Sequence, residues 1–570
     1  MKPGIPKSIE ALRGGYSLRT FLHDLLAGVT VGLVALPLAM AFAISSGMPP
    51  QSGIYGAIVA GFIVSALGGS RFQIGGPTGA FVIVISGIVA THGVEGLYVC
   101  TLMAGIILVV LGLTGLGAAV KFIPRPIVVG FTNGIAVLIA STQIKDFLGL
   151  RIDHPAGAFV PRLREIGEHL GGVSAVATAL GVATLAVIVL FARTVRRVPG
   201  AIVALFAATV AVALASLPVE TIGSRFGGIP SGLPPFRIPP LRLDLMPPLL
   251  SSAVTVAMLG AIESLMSAVV ADKMGGDRHN PNVELFAQGV ANVASPLVGG
   301  LPATGAIART ATNIRSGART PVAGMIHAAT LLVILVAAAP LARFVPLAAL
   351  AAILFVTAYN MGDWEEIPEI LRLSKGDISV WLITFALTVF ADLTLAVEVG
   401  MILAGLLFIR KIAATTTVTE VSDEERDGGM EHVILPERAI PDYVALFRVH
   451  GPLLFGSAEK VREITDGVED LPPVVILRLH EMSAIDATGL SALEEAAELL
   501  HAHGRVLILC GAREQPSRLM RQAEFFRHVG RENLCASLSE ALGRAEIVHQ
   551  ERARGALEAL GDAKLSGWAD

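Results

Sequence analysis

The sequence predicts a mostly α-helical, polytopic membrane protein of about fourteen spans, arranged as a seven-plus-seven inverted repeat and followed by a cytosolic α/β domain. Three observations carry that fold class. Long apolar runs recur between residues 25 and 408 of a 570-residue chain that is 53% hydrophobic and only 16% charged, and many are long enough to cross a bilayer. Motifs in the first half of this region return in the second half at offsets of 224 to 226 positions. After Arg410 and Lys411 the apolar surplus ends, and short strand-like and helical runs alternate.

The repeat is clearest at two glycine-rich stretches. Gly75-Gly76-Pro77-Thr78-Gly79-Ala80 is echoed by Gly299-Gly300-Leu301-Pro302-Ala303-Thr304-Gly305-Ala306, and Val29-Thr30-Val31 by Val254-Thr255-Val256. Both glycine-rich stretches sit inside apolar sequence yet suit an interrupted helix better than a continuous one, the signature of a duplicated transporter half. Basic residues cluster beside alternate segment ends: Lys2, Lys7, Arg13 and Arg19, then Lys121 and Arg125, Arg193, Arg196 and Arg197, Lys273 and Arg278, Arg315 and Arg319, Arg372 and Lys375, Arg410 and Lys411. The positive-inside rule makes these ends cytoplasmic. Seven spans per half is an odd number, so the second half must be inverted relative to the first. The run at 25–44 exceeds the apolar core of a signal peptide and belongs to the repeat, so it reads as a span.

The expected boundaries are a cytoplasmic N-terminus at 1–20, a membrane domain at 21–414 with repeats at about 21–216 and 248–414, a linker at 415–440, a C-terminal domain at 441–550 and a tail at 551–570. The linker reading rests on the polar and charged run at 423–429. In the C-terminal domain, 444–449, 474–479 and 505–509 read as strands and 458–464 and 490–503 as helices. A net charge of −4 indicates no nucleic-acid partner, and three cysteines without metal-ligand or disulfide spacing read as free buried thiols. No spacing supports a hydrolytic triad, a zinc site or a P-loop, so no enzyme and no cofactor are expected.

A helix that begins in mid-membrane turns unpaired N–H groups and the positive end of its dipole toward the gap, where an anion is favoured. Pro77 and Pro302 suit first helical turns. Two such ends facing each other would form one anion site from Thr78, Gly79, Thr304, Gly305 and Ala306, mainly through backbone amides. Arg309 then falls two turns into the second interrupted helix, pointing back toward its start and adding a fixed charge; pairing with Glu263 is the structural alternative. Glu263 is the only acid in the run 249–271, with Ser267 one turn on, and is the candidate for coupling to a proton or a cation. His327 reads as a packing residue, and Glu365, Glu366 and Glu369 as a solvated face.

With 36–43 (Leu-Pro-Leu-Ala-Met-Ala-Phe-Ala), 75–80, 263–272, 299–313 and the C-terminal domain, the sequence resembles the SulP family of anion transporters that end in a STAS domain. That resemblance implies core and gate domains, elevator-like transport, a homodimer in the lipid bilayer, and an anion site between the third and tenth spans. It assigns Thr78, Gly305, Ala306 and Arg309 to the anion, and Glu263 with Ser267 to a sodium ion or proton. Many relatives carry Gln and Tyr where this chain has Leu38 and Phe42, a departure that leaves the pocket less polar. The substrate expected is sulfate, bicarbonate or a dicarboxylate. The Glu, where sodium-coupled relatives have Asp, leans toward protons. In the C-terminal domain Ile485-Asp486-Ala487-Thr488-Gly489-Leu490 resembles the phosphorylated loop of anti-sigma-factor antagonists, but Ala487 stands at the acceptor serine, so the switch is read as absent, and Thr488 as a helix cap; a module that docks a cytosolic protein or supports the dimer is expected. The rival readings are a nucleobase-type proton symporter and a membrane-anchored STAS interaction protein.

Overall fold

In the computed structural model the chain divides into two compact units, Met1–Ala404 and Gly405–Asp570. The described residues are all but 1–3, 117–123, 153–155, 195–198, 241, 392, 422–439, 466 and 567–570. Lys2, Lys121, Arg196, Arg197 and the charged run at 423–429 therefore lie outside the described residues.

The first unit opens with a short helix α1 (Lys7–Arg13) and continues as α2 (Leu18–Ser45), α3 (Pro50–Leu67), a two-residue strand β1 (Gly75–Gly76), α4 (Ala80–Thr114), α5 (Arg125–Leu148), α6 (Phe159–Glu168), α7 (Ala175–Thr194), α8 (Gly200–Ala215) and α9 (Ile222–Phe226). The order then recurs as α10 (Met246–Gly275), α11 (Pro281–Ala294), β2 (Thr304–Gly305), α12 (Ile307–Arg315), α13 (Val322–Ala338), α14 (Leu347–Met361), α15 (Ile367–Ile370), α16 (Lys375–Phe390) and α17 (Leu393–Thr415), the last running into the second unit. Among the described residues eight helices are long and apolar enough to cross a membrane, and Gly200–Ala215 is a shorter apolar one. The fold is thus mostly α and polytopic, as the sequence predicts.

Local sequence explains these helices. Ser17 caps α2 by accepting from the Thr20 N–H at 3.2 Å, and proline at the first turn opens α3, α5, α10 and α11. α4 breaks at Gly93, whose φ of 69° and ψ of −174° divide it into two segments. With lipid outside, helices associate through close backbone approach, and the small residues permit it. A side chain added at Gly105 would begin 2.8 Å from the Gly289 carbonyl, and one at Gly53 would begin 1.9 Å from that of Ala39.

The centre of the unit is not helical. β1 and β2 pair antiparallel, Gly75 with Gly305 and Gly76 with Thr304, and residues 72–77 and 300–306 are buried. Non-helical backbone at membrane depth requires such enclosure in protein. The helices resume later than the prolines suggest. α4 begins three residues after Pro77 and α12 five after Pro302, because the intervening residues form the ladder and its exits. Arg309 accordingly lies in the first turn of α12 instead of two turns in.

The second unit is an α/β domain with strands β3 (Thr417–Glu420), β4 (Val444–Leu453), β5 (Val474–Arg478), β6 (Met482–Ile485), β7 (Val506–Cys510) and β8 (Leu534–Cys535) in the order β3-β4-β5-β7-β8, with β6 beside the end of β4. All pairs are parallel except β3 with β4. The helices α18 (Glu459–Thr465), α19 (Ala487–Ala502), α20 (Glu514–Gln522) and α21 (Phe526–Val529) follow, and α22 (Leu538–Ser566) closes the chain. Val461, Ile464, Leu493 and Leu500 pack into one core with Val475 and Leu477, whereas Ala541, Ala545 and Val548 pack with Val474, Ile476 and Ile508. The alternating strand residues thus feed two cores, as expected of a sheet covered by helices on both faces.

Three readings change here. Residues 417–420, inside the stretch read as linker, form the edge strand of the sheet. Residues 551–566, read as tail, continue α22. The cap of α19 is Asp486, which accepts from the Gly489 N–H at 2.8 Å, while Thr488 lies within the helix. The three cysteines are free and buried, and burial pushes the Cys510 thiol up to about 11.

Candidate functional site

The residues singled out on the two glycine-rich stretches come together around the β1–β2 ladder, and α10 holds both. Thr78 donates its hydroxyl to Glu263 Oε2 at 2.8 Å. On the next residue of α10, the Ser264 hydroxyl lies 2.7 Å from that of Thr304 and accepts from the Gly305 N–H at 3.0 Å. Thr304 also donates to the Gly260 carbonyl at 3.0 Å. Adjacent residues of one helix therefore hold one broken crossing each.

Arg309 is 2% exposed and extends from α12 to the other crossing, where Nη2 donates to the Pro77 carbonyl. Among the described residues its Nη1 has no hydrogen-bond partner, and it lies 2.6 Å from where a side chain at Gly76 would begin. Gly76 has a φ of 149°, so both its backbone and the guanidinium beside it call for glycine. Arg309 makes no ion pair with Glu263 among the described residues; the backbone carbonyl of Pro77, on the first glycine-rich stretch, is its partner instead.

The amides expected to meet an anion differ from those read in the sequence. The Gly305 N–H is taken by Ser264, and the Ala306 N–H donates to the Ile74 carbonyl at 2.8 Å. The first-turn amides of α12 without an intrahelical acceptor are those of Ile307, Ala308 and Arg309, and Ile307 and Ala308 are exposed. Facing the start of α4 is an apolar wall. The side-chain position at Gly79 is 3.0 Å from Ile139 of α5, 3.1 Å from Met361 of α14 and 3.3 Å from Phe42 of α2. Phe42 is thus beside Gly79, 4% exposed.

Ser267 is buried and 3.0 Å from the Thr310 hydroxyl, which accepts from the Ile74 N–H at 3.1 Å. It supports the ladder from below and makes no hydrogen bond to Glu263. His327 is fully buried on α13, its ring packed against α3 at Gly61. Glu366 and Glu369 each form an ion pair with Arg125 at an exposed face, the latter at 3.0 Å.

Several supports went unread in the sequence. Asn292 pairs with both backbone groups of Ala303, donating to the carbonyl at 2.8 Å and accepting from the N–H at 2.9 Å. Glu284, fully buried, accepts from the N–H groups of Gly69 at 2.9 Å and Ser70 at 3.1 Å and from Gln288 at 3.0 Å, fixing the turn that leads into β1. A lone acid in the run 281–294 was the signal available for it. Gln73, 3% exposed, closes over Gly305, where an added Cβ would fall 1.7 Å from its Nε2. Gly305→Ala should therefore cost about 1–3 kcal/mol by overpacking, and Gln73→Ala in the same chain should restore most of it. Thermal denaturation of the purified single and double variants measures both, and a Gly305→Ala protein as stable as wild type would rule out the clash.

A model of the family described as "Sulfate permease family" matches residues 21–384, and one of the STAS domain matches residues 436–541. The chain is 42% identical over 532 residues to "Putative sulfate transporter YvdB" of Bacillus subtilis, covering 93% of this chain and 98% of that one. It is 32% identical over 544 residues to "Bicarbonate transporter BicA" of Synechocystis, covering 93% and 95%. Among solved structures, the transmembrane domain of a cyanobacterial BicA superposes with a TM-score of 0.59 at 33% identity, covering 68% of this chain and 98% of that one. SLC26A9 superposes with a TM-score of 0.84 at 17% identity, covering 96% and 93%, a likeness of fold.

Proposed function

Since the chain belongs to the sulfate permease family and ends in a STAS domain, we propose that the two broken crossings form its anion site and that Glu263 couples the anion to a driving cation. The chain is a multi-pass inner-membrane protein with a cytosolic STAS domain, and a secondary transporter of a small anion of the sulfate or bicarbonate type. The observation that carries the proposed site is the guanidinium of Arg309, buried at the β1–β2 ladder and reaching from one broken crossing to the backbone of the other. In that position it holds the two helix starts together and leaves one N–H edge for an oxyanion. The first-turn amides of α12 and Thr78 of the α4 entry complete the proposed shell.

The finer reading follows the same geometry. Counting α4 as two segments at Gly93, helices α2 to α8 without α6 and helices α10 to α17 without α15 give seven spans each, fourteen in all, as an inverted repeat. The proposed domains are the membrane part at 21–414 and the STAS domain at 441–550 with its edge strand at 417–420. In the proposed elevator cycle, the helices of the broken crossings slide as one core against a gate that includes α5 and α14, the helices facing Gly79. A homodimer is the proposed assembly.

Reconstitution into proteoliposomes tests this. Labelled sulfate and bicarbonate are offered with and without inward sodium and proton gradients. Saturable uptake of one of them, raised by one gradient and unaffected by uracil, is the expected result. Uptake of uracil with no oxyanion transport would replace the proposal with a nucleobase symporter.

A further inference from the structure

We propose that the cytoplasmic end of the membrane unit binds the phosphate-bearing headgroup of an anionic phospholipid, in a groove between α1 and the turn that precedes α13. The groove encloses about 960 Å³, and its lining includes Lys7, Arg19, Arg71 and Arg319. Lys7 is already neutralised, with Nζ 3.0 Å from Glu10 and 3.4 Å from Asp277. Arg19, Arg71 and Arg319 are exposed and form no ion pair among the described residues. Glu10 and Asp277 line the groove as well, so its four basic side chains outnumber its acids and leave an excess of positive charge, and arginine's planar fork fits a phosphate oxygen pair.

The walls are built. Asp24 is fully buried and accepts four hydrogen bonds: from the Tyr16 hydroxyl at 3.1 Å, the Arg319 N–H at 2.7 Å, the Thr320 N–H at 3.0 Å and the Thr320 hydroxyl at 2.5 Å. This one carboxylate fixes both Tyr16 and the backbone of Arg319, so the Arg319 side chain rises from a rigid turn.

The rim argues for a lipid over a soluble anion. α1 is held on the end of α3 by the Lys7 N–H to the Gly68 carbonyl at 3.0 Å and the Ser8 hydroxyl to the Ala66 carbonyl at 2.5 Å. That attachment leaves Ile5, Ile9 and Leu12 exposed at helical spacing, and Leu18 and Leu22 at the start of α2 are exposed as well. Ile9 and Leu12 lie on the face of α1 opposite Lys7, Glu10 and Ala11, which line the groove, so the helix turns an apolar face away from the groove and a polar face into it, the arrangement of an interfacial helix beside a lipid headgroup. The basic residues also place this end at the cytoplasmic leaflet, where anionic lipids create a field that draws arginine to the surface. This inference does not depend on the anion site proposed above.

The test uses the purified full chain and three probes: dioctanoyl-phosphatidylglycerol, dioctanoyl-phosphatidylcholine and sn-glycerol 3-phosphate, with binding read by native mass spectrometry. Wild type is expected to retain phosphatidylglycerol and not phosphatidylcholine. The Arg19→Gln/Arg71→Gln/Arg319→Gln protein should bind phosphatidylglycerol at least tenfold more weakly, each single variant two- to fivefold more weakly, and the corresponding triple lysine protein within threefold of wild type. The exposed single variants keep the test open should the triple glutamine protein fold poorly. Undiminished lipid binding in the glutamine variants would overturn the proposal. So would displacement of the lipid by an equal concentration of glycerol phosphate, which would identify a soluble phosphate ester as the occupant.

Discussion

Arg309→Ala should reduce saturable anion uptake in proteoliposomes by at least thirtyfold, to the level of protein-free vesicles. The side chain is 2% exposed, and its removal deletes the buried charge at the ladder while leaving the Pro77 carbonyl without its donor. Truncating one member of a buried, charge-assisted contact costs about 2–5 kcal/mol, which corresponds to roughly thirty- to several-thousandfold in affinity. Arg309→Lys separates the two contributions. Lysine keeps the charge but is a single compact ammonium, so it serves either the Pro77 carbonyl or the anion, and an intermediate loss of about tenfold is expected. Thermal denaturation in detergent, run beside the uptake assay, reads the structural share, because loss of the Pro77 contact alone lowers stability without changing apparent KM. Uptake by the alanine variant within twofold of wild type would remove Arg309 from the anion site.

That prediction starts from a residue legible in the sequence, whereas the contact that gives it its strength was not. The repeated Gly-Gly, Pro and Thr-Gly-Ala series exposed the two interruptions, because glycine and proline at matched offsets inside apolar runs conflict with continuous helices. What the pattern could not supply was register. Prolines at 77 and 302 suit first helical turns, but the ladder pairs Gly75 with Gly305, and this pairing between the two glycine-rich stretches displaces both helix starts. The displacement puts Arg309 in the first turn of α12, close enough to reach Pro77. Ser264 was invisible for a different reason: one serine in an apolar helix carries no directional signal, and only the fold shows that it faces Thr304 and Gly305. In the second unit, β3 at the sheet edge exposes Thr417, Thr419 and Glu420 and only half-buries Val418, so its sequence looks like linker until its partner β4 is known.

Glu263→Gln should abolish gradient-driven accumulation while leaving anion exchange in place. The residue is half-buried on α10, and among the described residues its side chain accepts one hydrogen bond, from the Thr78 hydroxyl at 2.8 Å. Glutamine has nearly the same shape and retains a carbonyl oxygen to accept that bond, so the start of α4 stays in position. It cannot carry a negative charge, and a sodium ion or proton then has no carboxylate to meet. Coupling requires that the cation favour the same state as the anion, and the Thr78 contact supplies the connection, because one hydroxyl joins the carboxylate to the first broken crossing. Neighbouring Ser264 hydrogen-bonds Thr304 and Gly305 on the second glycine-rich stretch, so under the proposed coupling a change of charge at Glu263 would reach both stretches. Under an imposed gradient the internal anion concentration in the variant should level off near the external one, and counterflow exchange should stay within threefold of wild type. Thr78→Val tests the connection separately: it keeps the carboxylate but removes the hydroxyl, and should weaken the dependence of uptake on the driving ion more than it weakens exchange. Accumulation by the Glu263→Gln protein with an unaltered dependence on the driving ion would exclude Glu263 as the coupling group.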